Sequence, residues 1–171
     1  MKNFLTILTT LFIMISTSGM AQTGTATTIR KTFSRETTIS KDIKAEGSVI
    51  WKLLTTASDY TRWNTTVTSL EGTIAKGETI KLKSELDAKR TFKLKVKEFE
   101  PEKRLVWGDG KGNRIYTLTN NANGTVTFTM TEKIGGLMFP MYAKMIPSFD
   151  EIFEKFVNDL EKEALVIMST K

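Results

Sequence analysis

The 171-residue sequence contains neither cysteine nor histidine. Without thiols there can be no disulfide, no thiolate nucleophile and no sulfur ligand for zinc. Without imidazole there is no His-ligated metal, no Ser-His-Asp or Cys-His device and no side chain that titrates near neutrality unaided. Proline and glycine are scarce, at 3 and 11 residues, which excludes collagen-like and low-complexity chains. Long apolar runs are also missing. The longest, Phe4 to Ile15, is interrupted by Thr6, Thr9 and Thr10 and falls short of the ~20 residues that a bilayer-crossing helix needs. No phosphate-cradling glycine loop, zinc spacing or calcium loop is present, so neither cofactor nor metal is expected. What remains is ordinary globular material, 40% hydrophobic and 26% charged.

Residues 1–21 have a signal-peptide layout: Lys2, the apolar stretch, then Gly19 and Ala21 at the −3 and −1 positions before Gln22. An uncleaved amphipathic anchor is the alternative. Cleavage predicts a periplasmic or secreted protein with about 150 residues, the size of one domain, and lowers the net charge from +6 to +5 by removing Lys2. Residues 22–28, a Thr/Gly/Ala stretch, read as a flexible tether, and residues 29–171 as a single domain.

Hydrophobic periodicity divides this domain into three parts. Phe33 to Ile43 reads as a first strand. Ser48 is expected to cap a short helix with Ile50, Trp51 and Leu54 on its apolar face, and a second short helix ends at Trp63. From Leu70 to Lys133 the period is two, with six strands separated by turns at Ala75-Lys76-Gly77, Glu100-Pro101-Glu102, Gly110-Lys111-Gly112 and Asn123-Gly124. Ile80, Leu82, Phe92, Leu94 and Val96 point to one face. Lys81, Lys83, Lys93, Lys95 and Lys97 point to the other, as in a half-buried antiparallel sheet. Pro147 opens a final helix of about 20 residues, whose stripe is Phe149, Ile152, Phe153, Phe156, Leu160 and Ala164. The order is α+β. A seven-stranded sheet curls under its own twist, and one helix about 10 Å across cannot fill its concavity, so a cavity is expected.

Ile43-x-Ala45, Ile50-Trp51 with Leu54, Trp63, Gly77, Glu100-Pro101 followed by Leu105-x-Trp107, Gly124-Thr125 and the closing helix together resemble the polyketide cyclase/dehydrase-like branch of the START and birch-pollen-allergen superfamily (SRPBCC) over residues 35–168. The sequence departs from that pattern at Glu46-Gly47 and Asn64, where prolines are frequent. The resemblance implies a helix-grip fold: a curved seven-stranded antiparallel sheet around a long C-terminal helix, two short helices after strand 1, and a deep apolar pocket. Such domains bind lipids, sterols, polyketides and other hydrophobic molecules, and a minority catalyse reactions on them.

Counting inward positions gives the candidate ligand-binding residues. Trp107, Tyr116, Leu118, Phe128 and Met130 come from the strands, opposed by Phe149 and Phe153 from the helix. They either line a pocket or meet and fill the core. Arg114 and Glu132 share the inward parity on adjacent strands. A charge facing an apolar interior must be paired, hydrated or protonated, so the two form a structural pair, a polar end that orients a ligand, or, with Tyr116, an acid–base group. Met138, Met141 and Met145, with Phe139 and Tyr142, suit an adaptable lid or membrane-facing entrance, or plain packing beneath the helix start. The lysine rows lack interleaved exposed aromatics and any docking motif, so a solvated face is expected rather than nucleic-acid binding.

Three functions follow, each with its own requirement. The leading one is an exported, non-enzymatic binding protein for a hydrophobic small molecule or lipid held between sheet and helix. The second is a polyketide cyclase- or dehydratase-like enzyme using Glu132, Tyr116 and Arg114. The third is an envelope interaction module making peripheral membrane contact.

Overall fold

The computed structural model describes residues 24–170; the leader expected at residues 1–21 lies outside them. Eight strands form one open sheet: β1 (Thr27–Lys31), β2 (Ser34–Ile43), β3 (Val67–Glu71), β4 (Thr79–Ser84), β5 (Asp87–Glu100), β6 (Arg104–Gly108), β7 (Gly112–Asn120) and β8 (Val126–Gly135). Every pairing is antiparallel, in the order β1-β2-β8-β7-β6-β5-β4-β3. Helices α1 (Gly47–Thr55) and α2 (Tyr60–Trp63) follow β2, α3 (Phe139–Tyr142) is a single turn after β8, and α4 (Asp150–Ser169) closes the chain. Among the described residues, no helix is long and apolar enough to cross a membrane.

The sheet has one strand more than the seven expected. The addition is β1, which begins at Thr27, within the stretch read as a tether. Its Thr27, Thr28 and Ile29 are β-branched, and a two-residue turn at Thr32 and Phe33 returns the chain along β2. Side chains secure it as well. Thr28 Oγ1 lies 2.8 Å from Thr37 Oγ1 and donates to Asp150 Oδ1 at 2.6 Å, while the Ala26 amide donates to Glu154 at 3.2 Å.

The six-strand expectation for the central segment is met, with strand ends displaced by a few residues. The inner face carries Ile39, Ile43, Ile80, Leu82, Val96, Leu105, Tyr116, Phe128 and Met130, all buried. Lys81 and Lys83 of β4 and Lys93, Lys95 and Lys97 of β5 are exposed on the opposite face, because successive strand side chains alternate. A bulge between Val96 and Glu98 resets that alternation, and beyond it Phe99 packs edge-on against Trp51 at 5.2 Å. Ser48 does not cap α1. Glu46 is the N-cap residue, and the Ser48 hydroxyl donates to its carboxylate.

Helix α4 lies over the inner face by its predicted stripe, with Val157 added: Ile152, Phe153, Phe156, Val157, Leu160 and Ala164 are buried. Its polar flanks are tied on both sides. Lys41 pairs with Glu161 at 2.5 Å and donates to Asn158 at 3.0 Å, Arg62 of α2 pairs with Glu163 at 2.6 Å, and Asp159 accepts from the Thr65 amide and hydroxyl.

Candidate functional site

The inner face has an aromatic middle and a charged end, both set by strand parity. Across the sheet, Thr37, Glu132, Arg114, Trp107 and Val96 stand in one register row, and Ile39, Met130, Tyr116 and Leu105 in the next. Arg114 and Glu132 are therefore direct neighbours. Arg114 Nε donates to Glu132 Oε2 at 2.7 Å, with the side chains 16% and 14% exposed. The guanidinium also lies 5.3 Å from the centre of the Phe153 ring on α4. Burial alone would pull the Arg114 pKa down; the Glu132 carboxylate, with a smaller contribution from Tyr116, outweighs it and leaves the pKa raised. Arg114 is thus a fixed cation.

A second arginine joins this end. Arg35 is buried and gives its two terminal nitrogens to the carbonyls of Ile146 and Pro147 at 3.0 and 2.7 Å, while lying over the Phe149 ring. Burial, then Arg30, lowers its pKa; Asp150 and Glu132 oppose that. Asp150 accepts from Thr28 and Ser148, and these hydrogen bonds hold its carboxyl below the usual range. Two arginines face two carboxylates beside the start of α4.

The aromatic middle is a continuous stack. Trp107 meets Tyr116 edge-on at 5.1 Å, Tyr116 stacks on Phe128 and Phe156 at 6.0 and 5.8 Å, and Phe156 reaches Trp63 at 5.6 Å. Tyr60 touches Trp63 and donates its hydroxyl to the Leu54 carbonyl at 2.9 Å. Two buried polar atoms in this stack form no hydrogen bond of ordinary length and angle: Trp63 Nε1, and Tyr116 Oη, whose polar neighbour is the Arg114 guanidinium. Burial raises the pKa of the Tyr116 hydroxyl, with Arg114 acting in the opposite sense, so it is a neutral donor.

The predicted residues thus separate into three places. Trp107, Arg114, Tyr116, Phe128, Met130, Glu132, Phe149 and Phe153 converge between the sheet and α4. Leu118 is buried near the other end, bordering an open cleft of about 690 Å3 formed with Glu100, Pro101, Arg104 and Asn120. Met141 and Met145 do not line the interior; both are exposed, because α3 and the turn after it lead outward before α4 begins. Within the expected space, Trp107, Tyr116 and Phe128 meet one another or Phe156, which projects from α4 among them, while Phe149 and Phe153 stack on each other. Arg35, Tyr60 and Phe156 were not foreseen as parts of this region. Arg35 carries the inward parity of Ile39 and Ile43 and was legible on that basis.

An open antiparallel sheet gripping a long C-terminal helix, with a charged pair at one end of an aromatic interior, defines a helix-grip domain. Residues 34–165 match the family model described as polyketide cyclase/dehydrase and lipid transport, and the chain belongs to that family. No curated protein matches the sequence. Among solved structures, a conserved protein of unknown function from Enterococcus faecalis, EF2215, is similar at 14% identity and a TM-score of 0.59, covering 80% of this chain and 75% of that one. MLL2253 from Mesorhizobium loti is similar at 18% identity and a TM-score of 0.58, covering 75% of this chain and 95% of that one. DynU16, a putative protein in the dynemicin biosynthetic locus, is similar at 19% identity and a TM-score of 0.54, covering 73% of this chain but 45% of its own length. Likeness at such identities concerns the fold.

Proposed function

We propose that the protein binds a hydrophobic small molecule or lipid between the sheet and α4, and that it acts after export, in the periplasm or outside the cell. The observation that carries this reading is the buried Tyr116 hydroxyl within an aromatic stack, beside an arginine that can donate to it but cannot accept its proton. Leaving such a group unpaired costs about 1–3 kcal/mol, which a ligand oxygen accepting from Tyr116 would recover. Apolar burial would supply the rest, at roughly 25 cal/mol per Å2. Because Phe156 stands among these rings, binding beside Tyr116 requires α4 and the segment before it to shift from the sheet. Family membership supports the ligand class, and the leader-like residues 1–21 support export.

Native mass spectrometry of gently purified protein is expected to reveal a co-purifying hydrophobic compound, and titration of stripped protein with that compound is expected to change the fluorescence of Trp63 and Trp107. Tyr116→Phe should change folding stability little, since Arg114 keeps its pairing with Glu132 and the hydroxyl has no acceptor to lose, while weakening binding about fivefold or more. Absence of both a co-purifying compound and uptake of long-chain fatty acids or sterols would overturn the reading. The catalytic alternative uses the same Glu132, Tyr116 and Arg114. It predicts turnover that Glu132→Gln abolishes with little loss of binding.

A further inference from the structure

The segment between β8 and α4 has a character the interior site does not explain. Leu137, Met141 and Met145 are 84%, 75% and 80% exposed, and Met138 and Phe33 are also more than half exposed. These are not scattered side chains. The Gly136 amide donates to the Phe33 carbonyl at 3.0 Å, which sets the β1–β2 turn beside Leu137, and the Gly135 amide donates to the Lys111 carbonyl at 3.0 Å, which adds the β6–β7 turn. Phe139 is buried and meets Tyr142 edge-on at 5.6 Å, so the strap is anchored inward at its centre. Arg35 holds its far end through Ile146 and Pro147. The apolar side chains are therefore presented from a backbone fixed at both ends and in the middle.

The surrounding charge is mostly of one sign. Arg30 and Lys31 lie on the β1 side of the turn, Lys111 on the opposite side with its ammonium 5.5 Å from the Tyr142 ring, and Lys144 between the two exposed methionines. Asp109 is the acidic residue of the neighbouring turn, and its carboxylate already accepts from the Lys111 and Gly112 amides. Exposed apolar side chains among cations match an anionic bilayer, into which Leu, Met and Phe can insert while lysine and arginine stay with the phosphates. Methionine suits this surface because its flexible chain adapts to disordered acyl groups.

We propose that the strap of residues 137–145, with Phe33 and the basic residues around it, is a docking surface for anionic phospholipid membranes. The proposal is independent of what the interior binds. Its test is sedimentation of the full chain with vesicles of phosphatidylglycerol and phosphatidylcholine, compared with pure phosphatidylcholine. Wild type is expected to partition onto the anionic vesicles and to be released in part as salt rises from about 0.1 to about 0.5 M. Simultaneous Leu137→Ser, Met141→Ser and Met145→Ser, all at exposed positions, should cut partitioning about tenfold or more with an unchanged melting temperature. Lys31→Ala with Lys111→Ala and Lys144→Ala should abolish the salt-sensitive part. Equal partitioning of wild type and the serine variant would assign membrane attachment to another part of the chain and overturn the proposal. So would absence of wild-type binding, or a wild-type dimer that the serine substitutions make monomeric and that ignores vesicles.

Discussion

Each charged side chain on the inner face is held by a particular partner, and that partner determines what its removal does. Asp150 accepts hydrogen bonds from the Thr28 and Ser148 hydroxyls, and its pKa is depressed in the folded state. A depressed carboxyl stabilises the fold above its unfolded pKa, roughly 3.9, and that stabilisation disappears as pH falls through the lower folded value. Asp150→Asn is therefore expected to lower stability near neutrality and to flatten the loss of stability below about pH 4, measured by urea unfolding across pH. A variant as acid-sensitive as wild type would contradict this. At this scale the sequence was informative where alternation could be counted. Arg114 and Glu132 fall on facing inward positions, and their pairing was one of the outcomes set by parity. The carbonyls that receive Arg35 were not legible, because they come from a segment more than a hundred residues away whose path depends on the fold.

At the scale of elements, α4 organises the interior through one residue. Phe156 lies within 5.6 to 6.4 Å of the ring centres of Tyr60, Trp63, Tyr116 and Phe128. Phe156→Ala should lose about 3–5 kcal/mol, read as a lower urea midpoint with a two-state transition. Because it also opens the centre of the stack, the same variant should take up a small aromatic probe such as benzene if the void stays dry. The stripe of α4 was legible from its helical spacing, and so was the central sheet, since both periods are local. The bulge at Lys97 was not. It appears only in the pairing of β5 with β6 and changes which side chains of β5 face inward.

Considered whole, the molecule is an open sheet with β1 at one edge and β3 at the other. Removing residues 1–33 would delete β1, uncover the edge of β2 and break the links from Ala26 and Thr28 to α4. Those two hydrogen bonds alone are worth about 1 kcal/mol each. The shortened chain is expected to fold with a lower urea midpoint and to self-associate at high concentration through the bare edge, as followed by light scattering. An equally stable, monomeric product would contradict the role given to β1.

The sequence by itself determined the class of fold, the inner and outer rows of the sheet, and the stripe of α4, because alternation and helical spacing follow from backbone geometry within each segment. It also set the absence of cysteine and histidine chemistry. Tertiary structure alone decided that Thr27–Lys31 pairs as an eighth strand, that the strap carrying Met141 and Met145 turns outward, and that the inward rings meet. Those outcomes depend on the curvature of the whole sheet, the depth at which α4 seats, and hydrogen bonds between residues far apart in the chain. Local periodicity can assign a side chain to a face, but whether space remains beside it depends on what the opposite layer places there.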